Sequence, residues 1–333
     1  MSRIPKSEYW QQVKKSVGDQ PFFSLAPMEA VTNSVFRQVV TQAAEPDLYY
    51  TEFINAIAIN HEKAKFSVAG RMHLETNQKT PIAQIWAGPE TDFKGAALTL
   101  KEKGFAAIDL NMGCPDATVI KNHAGSDYIR NFDDAKKIIE NTKEAELPVS
   151  VKTRLGFSDV KEFRKWIPFV LEQDVEVLTI HLRSRKEMSN PNAHYEFIDE
   201  IIQMRDEISA NTLLQINGDI KNRQQGLQLT KEHPGIDGIM IGRGIFENPF
   251  AFETENEAHT HQDMIDLLNL HLDLYDDYIE NVGYLKFESL RRFFKIYVRG
   301  FSNATQLRIA LMETKTTDEV RQILVSDLIK SHI

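Results

Sequence analysis

The chain has 333 residues and a formal net charge of −9, from 39 Lys and Arg against 48 Asp and Glu, and this length suits about two domains. Ordinary fractions of hydrophobic (42%) and charged (26%) residues exclude a disordered chain, and the absence of a long apolar run or an apolar leader leads us to expect a cytoplasmic protein. The single cysteine excludes an internal disulfide framework, a CxxC redox pair and a multi-cysteine zinc site.

Short apolar runs recur along the first three quarters of the chain, with helical segments between them. Each run is nearly continuous in apolar or β-branched residues, which is typical of parallel strands covered on both faces. The runs are Phe22–Met28, Leu48–Ile54, Pro81–Ala87, Ala106–Met112, Pro148–Arg154, Val177–Arg183, Leu213–Gly218 and Gly238–Arg243. The helix candidates include Glu90–Lys103, Phe132–Glu144, Val160–Glu172 and Arg223–Glu232. This alternation predicts an α/β fold, a (β/α)8 TIM barrel, with a doubly wound open sheet as the alternative.

Polar or glycine-containing clusters end most of the predicted strands. Because such barrels build their active sites at the carboxyl ends of the strands, a series of polar strand ends predicts a ligand in the barrel mouth. The clusters are Pro27-Met28, Glu52, Gln84, Asn111, Lys152, His181, Asn217-Gly218 and Gly242-Arg243.

After about His259 the sequence is helical in period, without further strand signal. We therefore expect a barrel domain over residues 1–255 and a smaller, all-α domain over residues 256–333. Within the second part Asp263–Glu280 carries a charge of −6 and Tyr284–Ala310 a charge of +5. The predicted buried stripe of the basic segment comprises Phe287, Leu290, Phe294, Tyr297 and Phe301. Arg291, Lys295 and Arg299 lie four residues apart and are predicted to share one exposed helix face.

Glycine-containing loops follow the seventh and eighth runs, at Asn217-Gly218-Asp219 and at Ile241–Gly244. Glycines let backbone N–H groups approach an anion closely, and barrels often bind a phosphate at this position. The loops therefore predict a cofactor that carries a phosphate.

Cys114 lies just past the fourth run, between Gly113 and Pro115, which break the strand and turn the thiol into the barrel mouth. A thiol there is suited to act either as a nucleophile or as a general acid, and the local residues leave both roles open. Lys152 and His181 end neighbouring strands, where a cation would stabilise negative charge developing on a cofactor ring. We expect no metal site, since His259 and His261 have no companion carboxylate–His pattern.

Together these motifs resemble those of the tRNA-dihydrouridine synthases, a family of FMN-dependent barrel enzymes that reduce uridine in RNA. The most specific match is the signature NxGCPxxxVxxxxxG, from Asn111 to Gly125. The family's opening APM…VT…FR segment is similar to Ala26–Arg37, and its HxRxR strand end to His181–Arg185. Its phosphate loops resemble Asn217–Asp219 and Ile241–Pro249. The tail from Arg291 to Arg308 resembles the helical domain with which the family helps to hold tRNA.

The resemblance implies that FMN lies across the barrel mouth, with NADPH as its reductant. It implies that Asn111 holds the target uracil and that Cys114 delivers a proton to C5 while reduced flavin delivers hydride to C6. The implied cofactor-binding residues are Pro27, Met28, Gln84, Lys152, His181, Asn217, Gly218, Asp219, Gly242 and Arg243. The implied RNA contacts are Arg183, Arg185, Arg291, Arg292 and Lys295. The expected partner is tRNA, bound by a monomer whose basic segment offsets the overall negative charge.

The chain departs from the family pattern at positions that are placed to orient RNA. These are Glu29-Ala30, Asn33, Ser189, His194-Tyr195 and Phe293. Three other functions stay open at this point: the same reduction on ribosomal RNA, an FMN barrel reductase of a small pyrimidine or enone, and a non-catalytic RNA-binding protein on a former enzyme scaffold.

Overall fold

The computed structural model describes residues 4–255, 257–300 and 303–325. Within these ranges nine parallel strands form a single sheet with the order β2-β1-β9-β8-β7-β6-β5-β4-β3. The strands are β1 Phe22–Leu25, β2 Leu48–Tyr49, β3 Ile54–Asn55, β4 Ala83–Trp86, β5 Ile108–Met112, β6 Val149–Gly156, β7 Val177–Ser184, β8 Leu213–Asn217 and β9 Gly238–Ile241. Each of the eight predicted runs contributes to this sheet.

The sheet closes on itself through β2 and β3, which are two pieces of one predicted run. Tyr50, between them, bridges Ile82 in parallel, just before β4. The strand is interrupted where the hydroxyl of Thr51 accepts a hydrogen bond from the backbone N–H of Gln84 at 3.0 Å and so takes the place of a ladder bond. The predicted eight-stranded barrel is therefore confirmed, and the open-sheet alternative is wrong.

Helices cover the outside of the barrel and continue into the tail. They are α1 Glu8–Val17, α2 Ser34–Ala44, α3 Ala56–Asn60, α4 Phe93–Glu102, α5 Ala117–Lys121, α6 Phe132–Lys143, α7 Phe163–Glu172, α8 Ile198–Ile208, α9 Arg223–Glu232, α10 Gly244–Glu247, α11 His261–Asn281, α12 Arg291–Tyr297, α13 Ala304–Glu313 and α14 Thr317–Val325. Several begin at a side-chain cap, as when Asn33 accepts from the N–H of Phe36 at 2.9 Å and Asn222 from that of Gln225 at 2.9 Å. No helix in these ranges is long and apolar enough to cross a bilayer.

The amino end of the barrel is closed by α1. Trp10 is fully buried and packs with Phe22, Tyr50 and Met240 in a small apolar cluster of its own. Because described side chains fill this end, the carboxyl ends of the strands are where a ligand has access to the barrel interior.

The helical tail packs against α2 on the outside of the barrel. The ring of Phe293 lies 4.6 Å from Phe36 and 4.8 Å from His271, and all three side chains are buried. The predicted buried stripe is confirmed at Leu290, Phe294 and Tyr297. Phe287 is only half-buried, and Phe301 lies outside the described residues.

The predicted row of three exposed cations along one tail helix is wrong. Helix α12 ends at Tyr297, because Val298 leaves helical geometry with its side chain fully buried. Arg299 therefore lies beyond the helix and is half-buried. Arg291 is also half-buried and donates to the carbonyl oxygen of Thr314 at 2.9 Å.

Candidate active site

A cavity of about 590 Å³ opens at the carboxyl ends of the strands. Five neighbouring strands each supply it with a predicted polar side chain: Gln84, Asn111, Lys152, His181 and Asn217. The other predicted cofactor residues, which are Pro27, Met28, Gly218, Asp219, Gly242 and Arg243, line the same cavity, as does Cys114. The structure thus brings every residue predicted for the cofactor, the base and the proton to one place.

The side chain of Asn111 shapes the loop that carries the cysteine. Its Oδ1 accepts hydrogen bonds from the backbone N–H of Cys114 at 2.9 Å and from that of Gly113 at 3.2 Å. Its Nδ2 donates to Oε1 of Gln84 at 3.0 Å. The loop is tightened further by Gly125, at φ +62°, where a Cβ would lie 2.9 Å from the carbonyl oxygen of Cys114. The NxGC…G spacing is therefore a folding requirement of this turn.

Burial raises the pKa of the Cys114 thiol, which is only partly exposed. The nearby charges of Lys152 and Arg154 favour the thiolate but do not outweigh the loss of solvent. The thiol is consequently protonated at neutral pH, which suits a proton donor better than a nucleophile.

Lys152 presents a desolvated cation to the cavity. Burial, together with the neighbouring charge of Arg154, lowers the pKa of its ammonium to about 8. Within the described ranges its ammonium forms no salt bridge. The ammonium is attracted by the buried carboxylate of Asp109, and since it also lines the cavity it is available to a ligand there.

Elsewhere along the cavity wall a carboxylate lies between two guanidiniums. Asp219 pairs with Arg183 and accepts from Arg243 at 2.9 Å, and its pKa is lowered by these hydrogen bonds and charges despite partial burial. Arg183 also contacts Nε2 of His181 at 3.2 Å, and since arginine only donates, Nε2 is the acceptor. Burial and the surrounding cations hold the pKa of His181 well below its usual value, so this imidazole is neutral.

Arg154 lines the cavity and was missed from the sequence. It lies two residues after Lys152 on β6, so the period-2 alternation that puts Lys152 at the cavity also puts Arg154 on that face. Phe53, Asn192, Lys221 and Glu247 line the cavity as well and carried no comparable signal, and so does Ser189, which was noted only as a departure from the family pattern. In the described part of the chain, no group of three His, Cys, Asp or Glu side chains converges as a metal site.

Comparison with known proteins decides the family. A family model described as dihydrouridine synthase matches residues 24–332. The chain belongs to the dihydrouridine synthase family. It is 49% identical over 319 residues to a probable tRNA-dihydrouridine synthase of Staphylococcus aureus (strain COL), covering 96% of this chain and 95% of that protein. It is 48% identical over 316 residues to probable tRNA-dihydrouridine synthase 2 of Bacillus subtilis (strain 168), covering 95% of each.

Solved structures share the fold with this family member at low identity. A 2-naphthoyl-CoA reductase has a TM-score of 0.50 at 8% identity, over 70% of this chain and 50% of that one. A 6-hydroxypseudooxynicotine amine oxidase from Pseudomonas geniculata N1 has a TM-score of 0.50 at 10% identity, over 81% of this chain and 51% of that one. These likenesses concern the barrel architecture alone.

For this dihydrouridine synthase the predicted RNA contacts fall into three groups by exposure. Arg183 is only 2% exposed and does not line the cavity, so the structure does not present its guanidinium to an RNA. Its guanidinium is occupied by Asp219 and by the carbonyl oxygen of Pro191. Arg292 and Lys295 are exposed on α12, whereas Arg185 and Arg291 are half-buried. Arg292 also donates to the carbonyl oxygen of Ala30 at 2.7 Å, which places α12 beside the loop after β1.

Proposed function

We propose that this protein is an FMN-dependent tRNA-dihydrouridine synthase, which reduces the C5=C6 bond of specific uridines in tRNA with NADPH as the source of electrons. The observation that carries the proposal is the cavity itself. A protonated thiol, a desolvated ammonium and two glycine-containing loops line the same cavity at the barrel mouth. Family membership and the names of the curated relatives support the same reaction.

The residues of the cavity fit a flavin mononucleotide. Its volume of about 590 Å³ lies in the range of small-molecule and cofactor sites. Gly242 lines the cavity beside Ala26 and Met28, and a Cβ added there would make ordinary van der Waals contacts with them at 3.5 and 3.8 Å. Lys152 offers a cation to the polar edge of a ring system, and Arg243, which is exposed beside Gly242, offers one to a phosphate. When bound, FMN would supply the hydride that C6 of the uracil receives.

Cys114 is assigned as the proton donor to C5 of the uracil. Its raised pKa keeps the proton on sulfur until carbanion character develops at C5, which is a far stronger base than a thiolate. After the transfer, the thiolate lies in the field of Lys152 and Arg154, whose charges stabilise it until solvent returns a proton. Asn111 holds the base beside the thiol.

Asp219 and Arg183 act as positioning residues for the phosphate end. A carboxylate repels phosphate, so Asp219 contributes by holding Arg243 in place rather than as a direct ligand. Arg183 in turn holds Asp219 and fixes the acceptor nitrogen of His181. The backbone of Gly218 and Gly242 and the side chain of Arg243 remain as the phosphate contacts.

The helical region over residues 256–333 is assigned to RNA binding and the barrel over residues 1–255 to the chemistry. The segment Tyr284–Ala310 carries +5 in a chain of −9, so it supplies phosphate affinity locally. Arg292 and Lys295 project from α12, and Arg292 also reaches the loop after β1. Arg185, half-buried over the ring of Phe157, is a weaker candidate. The protein is proposed to work in the cytoplasm as a monomer.

The test is a position-resolved map of dihydrouridine in tRNA and ribosomal RNA from cells with and without the gene, paired with the flavin content of the purified protein. Loss of dihydrouridine at defined tRNA positions supports the proposal and names the target. Loss confined to ribosomal RNA replaces the substrate and keeps the chemistry. A colourless protein and an unchanged map in a strain that lacks its sister enzymes would refute the proposal.

A further inference from the structure

A fully buried carboxylate lies beneath the cavity without lining it. Asp109 is on β5, two residues before Asn111, and its side chain is 0% exposed. Its Oδ1 accepts from the hydroxyl of Ser150 at 2.6 Å, and its Oδ2 accepts from Nε2 of Gln84 at 2.7 Å. The chemistry proposed above gives this group no role.

A series of hydrogen bonds connects Asp109 to the loop that carries Cys114, and the donor and acceptor of each bond are fixed. At the cysteine loop the backbone N–H groups of Gly113 and Cys114 can only donate, so the atom of Asn111 that faces them is Oδ1. The amide nitrogen of Asn111 therefore faces Gln84, and the atom that receives it is Oε1. Nε2 of Gln84 is left to face Asp109, which accepts it because it is a carboxylate. Backbone amides at one end and a buried anion at the other thus specify both side-chain amides.

The atoms left unbonded at Asn111 determine what it offers to a ligand. Oδ1 already accepts two hydrogen bonds, while Nδ2 has used one of its two N–H groups on Gln84. Asn111 lines the cavity, so the hydrogen-bonding capacity that remains there is an N–H donor. An N–H donor forms a hydrogen bond with a carbonyl oxygen of uracil. It forms none with the amino group that cytosine carries in place of one uracil carbonyl, because that group is also a donor.

We propose that Asp109 is a positioning residue that acts through Gln84 to hold Asn111 as a hydrogen-bond donor toward the cavity, so that the site selects a pyrimidine presenting a carbonyl oxygen over one presenting an amino group. The base-selecting part rests on the proposed function, since it requires that a pyrimidine enters the cavity. The positioning part concerns the protein alone.

Moving the carboxylate from position 109 to position 111 tests the positioning part. In Asn111→Asp alone, Oδ2 of the new carboxylate faces Oε1 of Gln84, and turning Gln84 around would put that oxygen against Asp109. In the double variant Asp109→Asn with Asn111→Asp, the two hydrogen bonds of Gln84 reverse and are satisfied again: Asn at 109 donates to Gln84, and Gln84 donates to Asp at 111, which still accepts from the backbone of Gly113 and Cys114. We expect Asn111→Asp to lower the melting temperature of the apoprotein and Asp109→Asn to restore about 3 °C or more of the loss, beyond its own effect in the wild type.

Ser150→Ala is the matched control for this cycle. It removes the hydrogen bond to the other oxygen of Asp109 and leaves the direction at Gln84 unchanged, so it should restore none of the loss in Asn111→Asp. Additive effects of Asp109→Asn and Asn111→Asp on the melting temperature would overturn the positioning role. This readout needs neither flavin nor RNA, so it is independent of whether the proposed function holds.

The base-selecting part is tested with two tRNA transcripts that carry uridine or cytidine at the position found to be reduced. We expect the wild type to bind the uridine transcript about tenfold more tightly, and the double variant, with an acceptor at 111, to lose that preference. A folded double variant that keeps the full preference overturns base selection by Asn111. A wild type that forms no dihydrouridine refutes the proposed function instead, whatever the melting temperatures show.

Discussion

The guanidinium of Arg154 donates from Nε to the carbonyl oxygen of Gly113 at 2.8 Å, which connects strand β6 to the loop that carries Cys114. The same guanidinium donates to the carbonyl oxygens of Ser184 at 3.1 Å and Met188 at 2.8 Å. One buried side chain therefore holds the loops after β5 and β7 together. Because its positive charge also favours the thiolate, Arg154 influences both the position and the acidity of the thiol.

We expect the thiol of Cys114 to titrate above the ordinary cysteine pKa, since burial dominates its environment. Arg154→Met should raise that pKa further, because a cation that favours the thiolate is removed. The pH dependence of alkylation by iodoacetamide measures this cleanly, as Cys114 is the single cysteine. Arg185→Met is the control. The guanidinium of Arg185 lies over the ring of Phe157 outside the cavity, so its removal should leave the midpoint of alkylation unchanged. A wild-type midpoint below that of free cysteine would contradict the assignment of Cys114 as an acid.

We expect Cys114→Ala to retain flavin and to lose dihydrouridine formation by about 100-fold or more, because only the proton donor is removed. The measurement is the rate at which tRNA reoxidises the chemically reduced enzyme in a single turnover. The absorbance of bound flavin in the same sample is the control for an intact cavity. A rate within about twofold of the wild type would show that another group supplies the proton.

Asp109→Asn should make the apoprotein more stable at neutral pH and no more stable in acid. Burial raises the pKa of Asp109 to about 6, so the folded wild type takes up a proton between about pH 4 and pH 6 that the unfolded chain does not. The titration of Asp109 therefore lowers the free energy of unfolding of the wild type as pH rises through this window, and the variant lacks this contribution. The gain is of the order of 2–3 kcal/mol above pH 6 and vanishes below pH 4.

Urea unfolding at a series of pH values measures this difference. Ser150→Ala provides a second check of sign, because the hydrogen bond from Ser150 lowers the pKa of Asp109, and its removal should move the pH window upward. Equal slopes for the wild type and Asp109→Asn between pH 4 and pH 6 would show that Asp109 does not titrate there.

We expect Arg292→Ala with Lys295→Ala to weaken tRNA binding while flavin content stays constant. Both side chains are exposed on α12, so their loss should reduce the slope of log affinity against log salt by about 1–2. Lys15→Ala with Lys165→Ala is the control with equal charge change, on helices α1 and α7. An equal loss of affinity in both double variants would show that α12 contributes to tRNA binding only through the overall charge of the protein.

Much of the fold was predictable because it depends on local pattern. Continuous apolar runs specify strands covered on both faces, and their alternation with helices specifies a barrel. The helix Arg223–Glu232 was predicted to the residue, since Asn222 caps its start. Errors lie at the ends: β1 stops at Leu25 because Pro27 has no N–H and that of Met28 is bound by the hydroxyl of Thr32 at 3.0 Å.

The candidate site was predictable where one residue type implies one chemistry. A lone cysteine between Gly113 and Pro115, a lysine at the end of a strand and glycines after the last two strands could be placed at the barrel mouth from spacing alone. All of them line the cavity.

Only the tertiary structure decided what each charged or amide group is bonded to. Arg183 and Arg154 both follow strand patterns. Arg183 pairs with Asp219, 36 residues away, whereas Arg154 lines the cavity and donates to Gly113, 41 residues away. The single N–H that Asn111 keeps free depends on Gln84, which belongs to a different strand and itself donates to Asp109. Sequence spacing specifies which face of a strand a side chain occupies, whereas its free hydrogen-bonding capacity depends on partners that only the closed barrel brings together.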